Sequence, residues 1–434
     1  MKQERQHRSS NGMNERRRLL SPFFIELWSI VFLVEFLKGS LLVAVLPVYM
    51  GDVLGLTAGV IGVAFSLQYL GDNLFRAPSG WAAERLGYRG TMAAALAFTL
   101  ISVLLITFTS GAGWLILSCL VLGVGTSPLW PCVMTGTTEI SGPNNSNGAA
   151  MGTLEIAALG GTGLGPIVMN YLLAHTSQNY RTIFLVLIGS SIVMILISLL
   201  LPGRVRGKAA DANAASAEPA QAGPPFSINA QLRKLKRSVS GTMQYIRGTL
   251  KLSPLVYPSL FMQSFVIGLL SPVITLYTRT ELGISPNMYS LLLIVGGGLT
   301  MLALIPFGKL VDRFGTRVFL NIGFLFAGCA LFVFALVRSL PLVFLLVSLV
   351  GLGYAMILPA WNTFVAGLVP KGERGAVWGF FLTLQGSGMV VGPIVSGLLW
   401  DKLGHTVPFM ASGIVMWLLL LSHLTLTRRR DRTA

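Results

Sequence analysis

Long apolar stretches alternate with short polar segments along this chain, and the alternation is its dominant pattern. Each apolar stretch runs for about 18 residues or more, enough for a helix to cross roughly 30 Å of hydrocarbon. Two blocks of six such stretches lie on either side of a polar segment near the middle. The pattern predicts an all-α membrane protein with twelve transmembrane helices in two six-helix halves.

The polar segments divide the chain into five predicted parts. They are a basic cytoplasmic tail (1–20), a first six-helix half (21–201), a cytoplasmic linker (202–252), a second six-helix half (253–427) and a basic cytoplasmic tail (428–434). The Ala- and Pro-rich start of the linker is too poor in apolar residues to fold alone. Between Ile228 and Leu250 apolar residues recur every three or four positions, with Lys and Arg between them. This spacing predicts an amphipathic helix on the membrane surface, and the alternative is an exposed tether.

The two halves repeat each other at a constant offset. The matched residues are of kinds that fix backbone geometry or end a helix. They are Tyr49 with Tyr277, Pro78 with Pro306, Gly80 with Gly308, Gly87 with Gly315, Gly123 with Gly351, and Pro131 with Pro359. A six-plus-six duplication is typical of transporters that rock two halves around a central site.

Two repeated segments, Gly80–Arg89 and Gly308–Arg317, carry charges at matching positions. They resemble the signature loop between helices 2 and 3 of the major facilitator superfamily and its counterpart between helices 8 and 9. The resemblance covers essentially the whole chain and implies that superfamily's fold. It also implies a cytoplasmic gate built from charge contacts. The gate residues would be Gly80, Glu84, Arg85, Gly87, Arg89, Gly308, Asp312, Arg313, Gly315 and Arg317.

Helix 5 carries glycines and a proline in a pattern that resembles the motif of the superfamily's antiporters, and helix 11 repeats it. The residues expected to let these helices bend are Gly161, Gly165, Pro166, Gly388, Gly392 and Pro393. Glycines on one face also let helices approach closely, so tight packing is the alternative.

Composition and charge agree with a membrane protein. Apolar residues make up 53% of the chain and charged residues 11%, against roughly 25% charged in soluble domains. The net charge of +16 lies mostly in the predicted tails, the linker and the loops of one side. The loops of the other side hold only Arg181, Arg279, Arg338 and Lys402. This bias predicts that both termini are cytoplasmic in a multi-pass protein of the bacterial cell membrane.

The same charge distribution indicates contact with anionic lipid headgroups and not with nucleic acid. The three cysteines lack the spacing of a disulfide or zinc site, and the four histidines form no catalytic constellation. No Walker-type nucleotide motif is present. We therefore expect no cofactor, no metal and no enzymatic activity, and an ion gradient as the driving force of a monomeric transporter.

Two charge pairs lie inside the apolar helices of the first half. Glu35 precedes Lys38 by three residues and Asp72 precedes Arg76 by four, so each pair shares one helix face. A charge at bilayer depth costs roughly 2.5–3.5 kcal/mol on insertion scales. The pairs either hold helices together or line a polar pathway. We favour the pathway, with Glu35 and Asp72 carrying the proton.

The second half is neutral where the first is charged. The repeat aligns Glu35 with Gln263, Lys38 with Val266, Asp72 with Thr300, and Arg76 with Leu304. A cavity between such halves would have one polar and one apolar wall, which suits an amphipathic substrate. Candidate substrate-binding residues are Lys38, Asn73, Arg76, Trp130, Glu155, Gln263, Asn362 and Gln385. For Trp130 core packing between two prolines is an equal alternative.

The set of Glu35, Lys38, Asp72 and Trp130 is similar to the proton-coupled glycolipid flippases of lipoteichoic acid assembly. The resemblance implies a secondary active transporter, a proton antiporter that exports or flips a drug-like or glycolipid-like molecule by alternating access. Three other readings compete with it: a proton-coupled importer of a sugar or organic anion, a sensor that binds without flux, and a membrane enzyme. A sensor would typically carry a large soluble domain and an enzyme would need a catalytic constellation, and the sequence offers neither.

Overall fold

The computed structural model describes residues 21–141, 148–176, 179–203, 253–368 and 374–431. Within these ranges the chain forms helices joined by short turns. The predicted tail at 1–20, the amphipathic helix after Ile228 and the linker beyond residue 203 lie outside the described residues. The predicted all-α class is confirmed for the part of the chain that the structure describes.

Twelve long helices follow one another in these ranges. They are α1 (Pro22–Val53), α2 and α3 (together Ala58–Phe108, divided at Gly87), α4 (Ala112–Thr126, continued by Leu129–Ser141), α5 (Gly148–His175), α6 (Tyr180–Leu200), α7 (Val256–Leu270, continued by Ile274–Thr280), α8 (Pro286–Phe314), α9 (Thr316–Phe334), α10 (Leu340–Ala366), α11 (Arg374–Leu403) and α12 (Val407–Asp431). Eleven of them are long and apolar enough to cross a membrane. The remaining one is α2, whose apolar run is interrupted by Gln68, Asp72 and Asn73.

The sequence repeat is visible in the backbone at two pairs of glycines. Gly55 and Gly283 have φ values of 64° and 61°, and Gly87 and Gly315 have φ values of 80° and 82°. These left-handed conformations strain any residue with a Cβ atom, so glycine is required at both ends of α2 and of α8. Each half therefore turns its second helix in the same way.

Glycines also set how closely the helices of each half pack. A Cβ atom on Gly123 of α4 would lie 2.0 Å from the backbone oxygen of Gln68 in α2. In the second half, a Cβ atom on Gly351 of α10 would lie 2.5 Å from the backbone oxygen of Gly296 in α8. The backbones of α2 and α8 are thus held directly against their neighbours.

The glycines expected to bend α5 and α11 lie in equally tight contacts. A Cβ atom on Gly161 or Gly165 would lie 2.3 Å from a backbone oxygen of α1, and one on Gly388 would lie 2.4 Å from the Phe261 oxygen of α7. Gly392 lies against Gly268 in the same way. Close packing accounts for these residues, and a bending role stays a prediction.

The two halves meet mainly through α2 against α11 and α5 against α8. We call the end of the bundle with the turns at Gly87 and Gly315 the motif end, and the end with Gly55, Gly283 and Gly404 the far end. At the far end the Asp401 carboxylate of α11 accepts hydrogen bonds from the backbone N–H groups of Ala58, at 3.2 Å, and Gly59, at 2.8 Å. A carboxylate at a helix N-terminus is favourable because it satisfies free N–H groups and the helix dipole.

The loops of the second half are tied together at the far end. The Glu281 carboxylate bonds to His405 Nδ1 at 2.5 Å and to the Arg338 guanidinium at 3.0 Å. The hydrogen bond from His405 is the main reason that the pKa of Glu281 lies below its usual value of 4.5. These contacts join the turns after α7, α9 and α11.

We expect Gly123→Ala to lower the thermal unfolding midpoint of the purified protein. The added methyl group must push α2 away from α4, and overpacking of this kind costs about 1–3 kcal/mol. Gly189→Ala is the control, because a Cβ atom there meets no atom within 4 Å. Equal midpoints for the two variants would contradict the close contact.

We expect Glu281→Gln to lower the midpoint near neutral pH but not in acid. Because the folded pKa lies below the unfolded one, the carboxylate stabilises the fold above pH 4.5, and this contribution is lost as the pH falls through the lowered value. The measurement is the thermal unfolding midpoint of wild type and variant at a series of pH values from neutral into acid. A difference that persists unchanged in acid would contradict a role for the ionised carboxylate.

Candidate functional site

The first charge pair joins α1 to α5. Glu35 is 8% exposed, and its Oε1 atom lies 3.4 Å from Lys38 Nζ one turn further along α1. Its Oε2 atom accepts a hydrogen bond of 3.2 Å from the Thr162 hydroxyl of α5. Both carboxylate oxygens of Glu35 therefore have partners inside the bundle, as a buried ionised group requires.

The second charge pair lies on α2. Asp72 is 8% exposed, and its Oδ2 atom lies 3.3 Å from Nη2 of Arg76, whose side chain is 34% exposed. The backbone of α2 is fixed here, because a Cβ atom on Gly123 would also lie 2.9 Å from the Asp72 nitrogen. The close contact with α4 therefore determines where the Asp72 carboxylate can lie.

Lys38 brings the two pairs into one group. Its ammonium interacts electrostatically with Asp72 as well as with Glu35, and with Tyr69 on α2. We call Glu35, Lys38, Asp72 and Arg76 the charge cluster. Directly after it, α1 widens into a π-helical stretch, Ser40–Val45, and such stretches are frequent at functional sites.

The charge cluster lies where the first half meets the second. Asn73 hydrogen-bonds to the Tyr69 carbonyl at 2.8 Å, and its Oδ1 atom is packed so closely on Gly386 of α11 that a Cβ atom there would be 2.4 Å away. The Tyr69 hydroxyl lies 3.1 Å from the hydroxyl of Ser271, in the break of α7. Residues next to Asp72 thus touch two helices of the other half.

An apolar cavity of about 350 Å³ lies beside the cluster. Its walls come from α1, α5, α7, α8, α9, α10 and α12, and its lining includes Thr162, Pro166, Ile274, Leu293, Phe334 and Val350. Thr162 belongs to both features, since its hydroxyl donates to Glu35 and its side chain lines the cavity. The buried charges and an apolar space between the halves therefore share a boundary.

The other candidate binding residues are spread more widely. Glu155 is exposed on α5 and interacts electrostatically with Glu35 and with Tyr354 of α10. Trp130 is half-buried and packs against the larger of the two hydrophobic core clusters, as the core-packing alternative expects.

Three candidates lie in the second half. Gln263 is buried, and its side-chain oxygen accepts a hydrogen bond from Ser264. Asn362 is exposed and Gln385 is half-buried. In the part of the chain that the structure describes, none of the three hydrogen-bonds to the charge cluster.

The residues of the predicted gate lie at the motif end. The Arg85 guanidinium lies 4.4 Å from the centre of the Trp81 ring, a cation–π contact. Arg89 donates a hydrogen bond of 2.7 Å to the Leu201 carbonyl at the end of α6, within its own half. In the second half Asp312, Arg313 and Arg317 are exposed. The side chain of Glu84 lies outside the described residues.

Sequence reasoning missed two residues of the site, Thr162 and Tyr69. Both are polar side chains in apolar helices, where a hydroxyl usually bonds to the backbone of its own helix. Thr162 precedes Pro166 by four residues and follows Gly161 of the glycine pattern, and Tyr69 precedes Asp72 by three. Proximity to these recognised residues was the signal that could have identified them.

Two comparisons with known sequences bear on the site. The family model described as Major Facilitator Superfamily matches residues 27–250 and 256–434. The chain is 25% identical over 383 residues to the proton-coupled antiporter flippase LtaA of Staphylococcus saprophyticus, covering 87% of each protein. It is also 25% identical over 396 residues to the LtaA protein of Staphylococcus aureus, covering 89% of this chain and 91% of that protein.

Solved structures share the fold. The nucleoside transporter NupG superposes with a TM-score of 0.71 at 14% identity, over 93% of this chain and 99% of NupG. A POT family transporter in complex with 5-aminolevulinic acid gives a TM-score of 0.70 at 16% identity, over 94% and 96% of the two chains. The human organic anion transporter MFSD10 gives 0.58 at 18% identity, over 93% and 99%. Together with the helix order, these likenesses confirm the predicted twelve-helix fold.

We expect Lys38→Met to destabilise the protein more than the double variant Lys38→Met/Glu35→Gln does. Removing one member of a buried pair leaves the other uncompensated, at a cost of up to about 3–5 kcal/mol, whereas neutralising both removes the imbalance. Thermal unfolding in detergent measures the difference. Arg76→Met is the comparison variant, and it should cost less because its side chain is more exposed than that of Lys38. A double variant no more stable than Lys38→Met alone would contradict a shared charge balance.

Proposed function

This chain belongs to the Major Facilitator Superfamily, and on that basis we propose that it is a secondary active transporter that exchanges protons for an amphipathic substrate. The substrate would be drug-like or glycolipid-like, and the protein would export it or flip it across the membrane by alternating access. The relatives named as proton-coupled antiporter flippases support this reading over most of the chain.

The observation that carries the proposal is the charge cluster at the boundary between the halves. Glu35 and Asp72 are both largely buried, and each has a basic partner. A carboxylate in such a place can gain or lose a proton because its partner's charge and its burial act in opposite directions. We assign Glu35 and Asp72 to proton transfer.

Lys38 and Arg76 would then respond to the charge state of the carboxylates. While the carboxylates are ionised, they would hold Lys38 and Arg76 in place for the polar end of the substrate. A proton on a carboxylate would remove this support, so proton and substrate would compete, which is the requirement for exchange. Asn73, Trp130 and Glu155 surround this polar part in the proposal.

The apolar cavity supports an amphipathic substrate. Its lining surface is almost wholly apolar, and it adjoins the cluster at Thr162. A polar headgroup near Lys38 could therefore have its apolar portion in the cavity without leaving the protein. In this proposal Gln263, Asn362 and Gln385 supply the few polar contacts of the second half.

The proposed orientation puts the motif end in the cytoplasm of a bacterial cell, with both termini on that side. The bias of Lys and Arg toward these loops and segments supports it. The far end, closed by Asp401 on the N-terminus of α2, would then face outward. The segments Gly80–Arg89 and Gly308–Arg317 would close the cytoplasmic side in the opposite state.

We expect Asp72→Asn to abolish transport driven by a pH gradient in proteoliposomes. The amide keeps the size of the carboxylate but cannot carry a proton. The assay compares flipping of a fluorescent glycolipid with efflux of a cationic dye, each with and without the gradient. Asp52→Asn is the matched control, because Asp52 is an exposed acid at the end of α1.

Full gradient-driven transport by Asp72→Asn would refute the assignment of Asp72. Accumulation of a substrate in the direction of the proton gradient would favour the importer alternative instead. Wild-type protein that moves neither probe under any gradient would count against the proposed substrate class.

A further inference from the structure

Tyr69 connects the two halves at the depth of the charge cluster. It lies on α2 three residues before Asp72, and its hydroxyl is 3.1 Å from the hydroxyl of Ser271 in α7. Ser271 lies in the break between Val256–Leu270 and Ile274–Thr280. The bond therefore reaches the position where α7 is interrupted.

The same side chain belongs electrostatically to the cluster. The Tyr69 hydroxyl interacts with Lys38, Asp72 and Glu35, and Glu35 interacts in turn with Glu155 of α5. The other helices around it bring no charge to this depth, since 112–126 of α4, 256–270 of α7 and 379–400 of α11 contain no Asp, Glu, Lys or Arg. The charged groups that act on the Tyr69 hydroxyl therefore all belong to the first half.

Resting on the proposed function, we infer that Tyr69 is a positioning residue that couples the protonation of the charge cluster to closure of the far end. While both carboxylates are ionised, Lys38 is attracted by Glu35, with which it pairs, and by Asp72. When one of them takes up a proton, the balance of attraction on Lys38 changes. The ammonium then moves relative to the phenol ring, and the geometry of the bond to Ser271 changes with it.

The expected size of the effect follows from one neutral hydrogen bond. Losing such a bond changes an equilibrium by about twofold to tenfold. That is enough to alter how often the far end opens without preventing closure, because three other residues also join the halves by hydrogen bonds. Asp401 of α11 bonds to α2, Ser66 of α2 bonds to α11, and Thr275 of α7 bonds to α1. Tyr69 differs from these because its hydroxyl also interacts electrostatically with the charge cluster.

Ser66 provides the matched comparison. Its hydroxyl donates to the Val390 carbonyl of α11 at 2.5 Å, so it is also a hydrogen bond from α2 to the second half. It lies three residues before Tyr69, toward the far end. Ser66→Ala removes an inter-half hydrogen bond and leaves the Tyr69 hydroxyl and its bond to Ser271 in place.

The test measures opening of the far end as a function of pH in the full-length protein. Nitroxide labels are attached at Val53→Cys and Lys402→Cys, which are exposed positions in opposite halves. The background carries Cys329→Ser, because Cys329 is exposed whereas Cys119 and Cys132 are buried. Double electron–electron resonance in proteoliposomes then measures the distance between the two labels, and with it the fraction of molecules in which the far end is open.

We expect the open fraction of the wild type to change with pH. In Tyr69→Phe the open fraction of the far end should rise by about twofold to tenfold and lose most of its pH dependence. Ser66→Ala should show a similar rise but keep the pH dependence. Ser271→Ala removes the same bond from the other side and should behave like Tyr69→Phe, which protects the result against a folding defect in one variant.

Wild-type pH dependence in Tyr69→Phe would overturn the inference and leave Tyr69 as one contact among several. Loss of pH dependence in Ser66→Ala as well would also overturn it. The pH dependence of opening would then require any hydrogen bond between the halves and not Tyr69 in particular. A wild type without pH dependence, but with gradient-driven transport, would refute the coupling route alone. A wild type with neither would refute the proposed function too.

Discussion

The constraint to which the rest of the structure responds is a group of four ionisable side chains inside the helix bundle. Glu35 and Asp72 are buried, and Lys38 and Arg76 are half-buried. Desolvation of such charges is costly, and the cost is reduced only if each has an opposite charge or a hydrogen bond close by. Lys38 pairs with Glu35 and interacts electrostatically with Asp72, Arg76 pairs with Asp72, and Thr162 donates to Glu35. Packing of α2 on α4 at Gly123 and of α5 on α1 at Gly161 holds these partners in place.

Because the two halves share one scaffold, the difference in charged side chains between them can be compared position by position. Backbone features are kept in both copies, as the matching φ values of Gly87 and Gly315 demonstrate. The buried charges are present in one copy only, where Asp72 aligns with Thr300. Thr300 instead lines the apolar cavity and bonds to the Gly296 and Gly351 carbonyls. Identical helix geometry thus supports a polar surface in the first half and an apolar one in the second.

Much of this arrangement could be predicted from the sequence because its causes are local. Apolar length predicts spans, and a spacing of three or four residues predicts that Glu35 meets Lys38 and that Asp72 meets Arg76. The contacts of Thr162 and Tyr69 could not be predicted, since they join helices far apart in sequence. The glycines of α5 were assigned to bending because their motif suggested it, whereas contact with α1 depends on the neighbouring helix. α2 is the least apolar span because it carries Gln68, Asp72 and Asn73.

The central claim is that Glu35 and Asp72 change protonation inside the membrane as the protein works. Infrared difference spectroscopy of the protein in lipid, recorded between two pH values, detects the carbonyl stretch of protonated carboxyl groups directly. The account predicts two titrating carboxyl signals in the wild type, one absent from Glu35→Gln and the other from Asp72→Asn. A wild-type spectrum without such signals, or one that neither substitution alters, would contradict it.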